Sequence, residues 1–151
     1  LDNLTDAPNL WCVASGTGLA QFLSIVRDPL TFEKYARVFV THTVRTVDEL
    51  AYRELLSGLP ITYYPTVTRE PFATPGRITT RIDSGELWRD LDVAPWTVTE
   101  DRIMICGSPE FNQEFRDRLT AEGFTHGTNR APGGFVQERA FVMQRSATPS
   151  E

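Results

Sequence analysis

The chain has 151 residues, the size of one domain, and a chain of this length buries roughly 70 % of its unfolded surface, so its core needs no covalent staples. Acidic residues outnumber basic ones 20 to 15, a net charge of −5, which argues against a general nucleic-acid or anionic-membrane binder while leaving room for one small basic pocket. Two cysteines, Cys12 and Cys106, are too few for a disulfide framework, and neither they nor His42 and His126 show metal-ligand spacing. Both cysteines sit in apolar runs and are read as reduced thiols of a cytoplasmic protein. No apolar stretch is long enough for a membrane span. The sequence opens on Leu1 rather than Met, and is read as a piece of a longer polypeptide.

The apolar run 10–14 predicts a buried strand that ends in Ser15-Gly16-Thr17-Gly18. Leu19, Phe22, Leu23, Ile25 and Val26 predict a helix over 19–27, stopped by Asp28-Pro29. A second strand covers 38–40 and ends near His42-Thr43-Val44-Arg45. A second helix is predicted over 47–59, closed by Gly58 and Pro60. The β-branched and aromatic run 61–67 is a third strand, placed at an edge by Pro65. Pro71, Pro75 and Gly76 make 68–77 a loop, and 78–91 is a helical stretch broken at Gly85. A strand over 102–106 runs into Gly107-Ser108, and Pro109 starts a helix reaching Ala121 with Phe111, Phe115 and Leu119 on one face. A last strand spans 135–142, and 143–151 is a polar tail. Alternating strands and helices predict an α/β, Rossmann-like, five-stranded parallel sheet with helices on both faces. Ligands of such sheets bind beyond the carboxyl ends of the strands, so the residues just after each strand matter most.

Gly16-Thr17-Gly18 after the first strand lets backbone N–H groups approach a phosphate closely, with a helix start behind them. The Gly-x-Gly-x-x-Gly spacing is incomplete, since position 21 is Gln, and a plain strand-to-helix turn is the competing reading. Arg45 follows the second strand, where an acidic residue would hold the 2′-hydroxyl of NAD and an arginine suits the 2′-phosphate of NADP. Arg69 follows the third strand and Arg77 the next loop. A single arginine is most often a solvated charge. Three near one rim of an acidic chain fit a phosphate, because each planar fork can donate two parallel hydrogen bonds. Cys106, with Gly107 and Ser108, ends the fourth strand. It is either a small buried hydrophobe or a thiol beside a reactive ring, and no histidine is placed by sequence to make it a nucleophile.

These runs together, with Val67-Thr68-Arg69-Glu70-Pro71-Phe72, Gly76-Arg77-Ile78, Cys106-Gly107-Ser108-Pro109 and Glu138-Arg139-Ala140-Phe141-Val142, resemble the NADP-binding half of a bacterial ferredoxin (flavodoxin)–NADP reductase. The resemblance covers residues 1–142. It implies a preceding FAD-binding barrel, whose Arg-x-Tyr-Ser-type motif does not occur here. It implies that Gly16, Thr17 and Gly18 hold the pyrophosphate, and that Arg45, Thr68, Arg69 and Arg77 hold the adenosine side and the 2′-phosphate. Cys106, Gly107 and Ser108 then border the nicotinamide. Glu138 matches an acidic residue implicated in proton and electron transfer, and Ala140 and Phe141 match the segment lying on the flavin. The family has proline where Gln21 stands and often glycine where Thr43 stands. The implied reaction is hydride exchange between NADPH and FAD, coupled to one-electron exchange with ferredoxin or flavodoxin, by a monomer that touches neither nucleic acid nor membrane. This chain by itself would bind nucleotide without catalysis. An NAD-linked oxygenase reductase module and a non-catalytic nucleotide-sensing domain are the alternatives.

Overall fold

The computed structural model of the chain describes residues 1–139. Its centre is an all-parallel sheet in the order β3-β2-β1-β4-β5, built from β1 (Asn9–Ser15), β2 (Arg37–Val44), β3 (Thr62–Val67), β4 (Asp101–Gly107) and β5 (Phe135–Arg139). The chain steps outward from β1 to β2 and β3, then crosses back to lay β4 on the other side of β1. The topological switch point therefore lies between β1 and β4. Register places Trp11 between Phe39 and Ile103, and Ala14 between His42 and Cys106.

Strand parity sorts the core into two layers. Trp11, Val13, Phe39, Ile103 and Ile105 face α4 (Ile78–Asp83), α5 (Glu86–Leu91) and α6 (Pro109–Ala121). Leu10, Cys12, Ala14, Val38, Val40, Met104 and Cys106 face the opposite layer, where Leu19, Phe22, Val26 and Leu56 pack. Both faces of the central strands are thus apolar, which is why they read as uninterrupted hydrophobic runs. Trp11 stacks on Phe39 with centroids 4.0 Å apart and meets Trp88 and Trp96 edge-on. Its indole N–H donates to the buried Asp101 carboxylate at 2.8 Å.

Two expected helices are broken. The stretch expected as a helix over 19–27 is a 3-10 helix over Gly16–Phe22 followed by the single turn α1 (Leu23–Val26). Asp28 then accepts from the Leu30 N–H and, with Pro29 behind it, starts a new helix, α2 (Pro29–Lys34). The stretch 47–59 holds a 3-10 turn over Val47–Glu49 and α3 (Arg53–Ser57). Between them Leu50 leaves helical geometry to pack with Val44 and Val67. Elsewhere the expected breaks stand where the residues put them. Pro65 lies on the edge strand β3, and Gly85 separates α4 from α5 at a φ of +81°. The expected strand beyond Arg139, the tail, Ala140 and Phe141 lie outside the described residues.

Candidate functional site

A cavity of about 890 Å³ opens at the carboxyl ends of the strands. Ser15, Gly16 and Thr17 after β1 form one wall, and His42–Arg45 at the end of β2 form the next. Thr68 beyond β3, Arg77 and Thr79 at the start of α4, and Ser108, Phe111 and Glu114 at the start of α6 complete it. The volume falls in the range of small-molecule and cofactor sites, about 300–1,000 Å³.

The structure brings together two of the three expected arginines. Arg45 and Arg77 both line the cavity, from different elements. Arg69 does not line it. Its backbone N–H donates to the Arg45 carbonyl at 2.9 Å, which sets it at the rim beside Arg45. Neither lining guanidinium stands alone. Arg45 donates to Glu49 at 3.1 Å, and Arg77 to Glu114 at 2.6 Å. With Glu110, the wall carries three carboxylates against two guanidiniums, so the expected basic pocket is a charge-paired one. Arg45 holds the Glu49 carboxyl below the usual carboxylate range, with the Thr46 N–H adding to the effect.

The two glycines of the first turn have different duties. Gly16 adopts a φ of +54° and faces open space where a side chain would stand, so a ligand can approach its backbone. Gly18 is buried, and a Cβ there would lie 2.1 Å from the Cys106 carbonyl oxygen. Gly18 therefore packs the turn onto β4 and does not line the cavity. The 3-10 geometry behind the turn also replaces the expected α-helix start.

His42 was not singled out as a site residue, yet it lines the cavity and fixes the turn. Its Nε2 meets the Gly16 carbonyl at 2.7 Å and must donate there, leaving Nδ1 buried without a partner. Burial lowers the His42 pKa, opposed by the Gly16 contact, and burial lowers that of His126. A histidine depressed in the fold takes up its proton more readily unfolded. The stability it contributes is complete above about pH 6.5 and is lost as pH falls through the folded value. The urea midpoint is expected to drop between pH 7 and pH 5.5, and His42→Gln should flatten that slope, leaving the share of His126. A midpoint that stays level in the unmodified chain would contradict this.

Cys106 and Gly107 do not reach the cavity wall, whereas Ser108 does. By strand parity the Cys106 side chain enters the layer of Leu19 and Phe22. Burial first, and the charge of Glu138 second, push its thiol up to about 12, so it is not a thiolate at neutral pH. Glu138 is exposed and lines a separate cavity of about 300 Å³ with Asn3, Met104 and Gln137. The expected site residues thus fall into two places. Thr43 lines the main cavity, hydrogen-bonded to Thr66 at 2.7 Å, while Gln21 does not line it. Glu49 and Glu114 escaped the sequence reading. The capping signature Thr46-Val47-Asp48-Glu49 was the available signal for the first, and no local signal exists for the second.

Comparison with known proteins bears directly on this geometry. The chain is 41 % identical over 169 residues to ferredoxin–NADP reductase A of Sorangium cellulosum, covering all of this chain and 61 % of that protein. It is 41 % identical over 155 residues to a flavodoxin/ferredoxin–NADP reductase of Rhodobacter capsulatus, covering 94 % of this chain and 57 % of the relative. By sequence the chain resembles ferredoxin–NADP reductases over nearly its whole length. It matches the C-terminal part of these reductases and spans about three fifths of their length. A crystal structure of a ferredoxin NADP+ reductase from Neisseria gonorrhoeae with bound FAD and NADP superposes with a TM-score of 0.83 at 27 % identity, over 93 % of this chain and 59 % of that one. No family model matches the chain. Among the described residues of the chain, no helix is long and apolar enough to cross a membrane.

Proposed function

We propose that this chain is the NADP(H)-binding half of a flavoprotein oxidoreductase that exchanges electrons between NADPH and ferredoxin or flavodoxin through FAD. The observation that carries the reading is the cavity at the strand ends, whose wall holds two arginines from separate elements together with an open glycine turn. The relationship to reductases of that name supports it. When bound, NADPH supplies a hydride and FAD takes it up. The chain's own work is binding and orientation. Gly16 and Thr17 offer backbone to the pyrophosphate. Arg77 and Arg45, with Thr68 and Arg69 toward the rim, take the 2′-phosphate and adenosine side. Ser108 borders the nicotinamide end. Gly18 supports the pyrophosphate turn from behind, and Cys106 and Gly107 back the nicotinamide end, since none of the three lines the cavity. Glu138, Ala140 and Phe141 serve the flavin side, which fits the separation of Glu138 from the arginines. In this reading the protein is a cytoplasmic monomer, where the buried Cys12 and Cys106 stay reduced.

Selectivity tests it. A hydrogen bond to a charged group contributes about 1.5–3 kcal/mol, less up to about 1 kcal/mol for the exposed ion pair that must open. Arg77→Ala is therefore expected to weaken NADP+ binding by about twofold to a hundredfold and leave NAD+ binding within twofold, by titration calorimetry. Equal losses for both nucleotides would remove the phosphate clamp. An unmodified chain that prefers NAD+ would favour the NAD-linked alternative, with Glu49 placed near the end of β2 to hold a ribose hydroxyl.

A further inference from the structure

Two ion pairs tie α4 to α6. At the far end Arg118 forks onto Asp83 at 2.8 and 3.2 Å. At the cavity end Arg77 donates to Glu114 at 2.6 Å, and both partners of that pair stand in the cavity wall while Asp83 and Arg118 do not. The Arg77 and Glu114 side chains remain 59 % and 36 % exposed, so this pair is reachable from solvent.

The other paired guanidinium differs in kind. Glu49 is pinned by the backbone N–H groups of Arg45 and Thr46, each at 3.0 Å, as well as by the Arg45 side chain. It cannot leave Arg45 without undoing the turn it caps. Glu114 has Arg77 as its one hydrogen-bond partner among the described residues. Its helix backbone does not depend on the contact. Glu114 can swing away and Glu49 cannot.

A carboxylate and a phosphate ester compete for the same planar fork. We propose that Glu114 is a specificity-determining residue of the nucleotide cavity: its carboxylate holds the Arg77 fork until a doubly charged phosphate ester displaces it, whereas an unphosphorylated ribose leaves the pair closed. The inference rests on the NADP(H) reading. Glu114 opposes the phosphate twice, as a competitor for Arg77 and, once displaced, as a nearby like charge. It lowers affinity for the phosphorylated nucleotide without touching affinity for the plain one.

A charge series at this position tests it, with NADP+, 2′,5′-ADP and NAD+ titrated calorimetrically into the 151-residue chain. Glu114→Gln is expected to tighten NADP+ and 2′,5′-ADP about two- to fivefold, the range of a partly exposed ion pair. Glu114→Lys should tighten them further, about tenfold, and NAD+ should stay within twofold in both variants. Asp83→Asn, which breaks the companion pair between the same two helices, should lower the melting temperature and leave nucleotide affinity unchanged. NADP+ binding that is unchanged or weaker in both Glu114 variants would overturn the proposal, as would equal tightening of NAD+. If the unmodified chain prefers NADP+, and Arg77→Ala abolishes that preference while the Glu114 series does nothing, this inference alone fails. If the unmodified chain shows no preference for NADP+, the nucleotide reading fails and takes this inference with it.

Discussion

Gly18→Ala is expected to remove about 3 kcal/mol or more of folding stability, a large part of the roughly 5–15 kcal/mol available to a domain. The added methyl would stand 2.1 Å from the Cys106 carbonyl oxygen and 2.7 Å from its carbon. Both atoms are backbone of β4, which is held between β1 and β5, so no rotamer change relieves the clash. The 3-10 helix would have to lift off the strand, exposing Leu19 and Phe22, which are about 1 % accessible. Gly16→Ala supplies the contrast. Its methyl meets nothing within 4 Å, and its cost is the left-handed backbone alone, about 1–2 kcal/mol. It should fold and, on the proposed nucleotide reading, bind nucleotide more weakly, because the methyl would fill the open space beside the Gly16 backbone. Urea midpoints of the two variants measure the difference. A Gly18→Ala chain within about 1 kcal/mol of the parent would contradict the structural role given to that glycine.

Arg81→Met is expected to cost about 1–3 kcal/mol, since it removes a buried fork from the Tyr64 hydroxyl and from two more exposed acceptors, Pro75 and Asp90. The Arg81 side chain is 8 % exposed. Its guanidinium donates to the Tyr64 hydroxyl at 2.6 Å, to the Pro75 carbonyl at 2.9 Å and to Asp90 at 2.9 Å. Tyr64 in turn donates to the same Asp90 oxygen. Three elements, β3, α4 and α5, are pinned by this one cluster. Burial first, then Asp90, push the Tyr64 hydroxyl up to about 12, and Tyr64 and Arg81 together hold the Asp90 carboxyl below its ordinary range. Methionine keeps the apolar stem and deletes only the fork. Adding Asp90→Asn should cost less than the sum of the single changes, because the two residues share partners. Arg77 caps the helix that carries Arg81 one turn later, so the variant should also bind NADP+ more weakly. Thermal and urea unfolding, followed by nucleotide titration at a temperature where the variant is folded, separate the two effects. A variant as stable as the parent would show that the cluster is replaceable.

The expected strands and α6 survive in the structure because their signals are local and strong. Residues 102–106 are apolar or stem-rich at every position, and the strand they predict extends only to Asp101 and Gly107. Pro109 and the spacing of Phe111, Phe115 and Leu119 fix α6 from Pro109 to Ala121. The helices over 19–27 and 47–59 fail for a tertiary reason. Leu50 is drawn between Val44 and Val67, and Gly18 is drawn against β4, and each contact bends its segment out of a continuous helix. Periodicity counts apolar residues and does not register where a neighbouring strand pulls them.

Site residues divide along the same line. Gly16, Thr17, Arg45, Thr68, Arg77 and Ser108 follow strands or open helices, and each lines the cavity. Position after a strand was enough to find them, because a parallel sheet presents all its carboxyl ends on one side. Cys106 and Gly107 belong to β4 itself, and two-residue parity puts the cysteine into the layer with Leu19.

By itself, then, the order of apolar runs and turn residues determined a parallel sheet, its edge proline and the rim where the cavity opens, since those depend on neighbours a few positions apart. The tertiary structure alone decided which charges meet there. Arg77 and Glu114 are separated by 37 positions, and Gly18 and Cys106 lie on opposite sides of the β2–β3 excursion. Pairings of that kind depend on how whole helices and strands pack, and no local pattern encodes them.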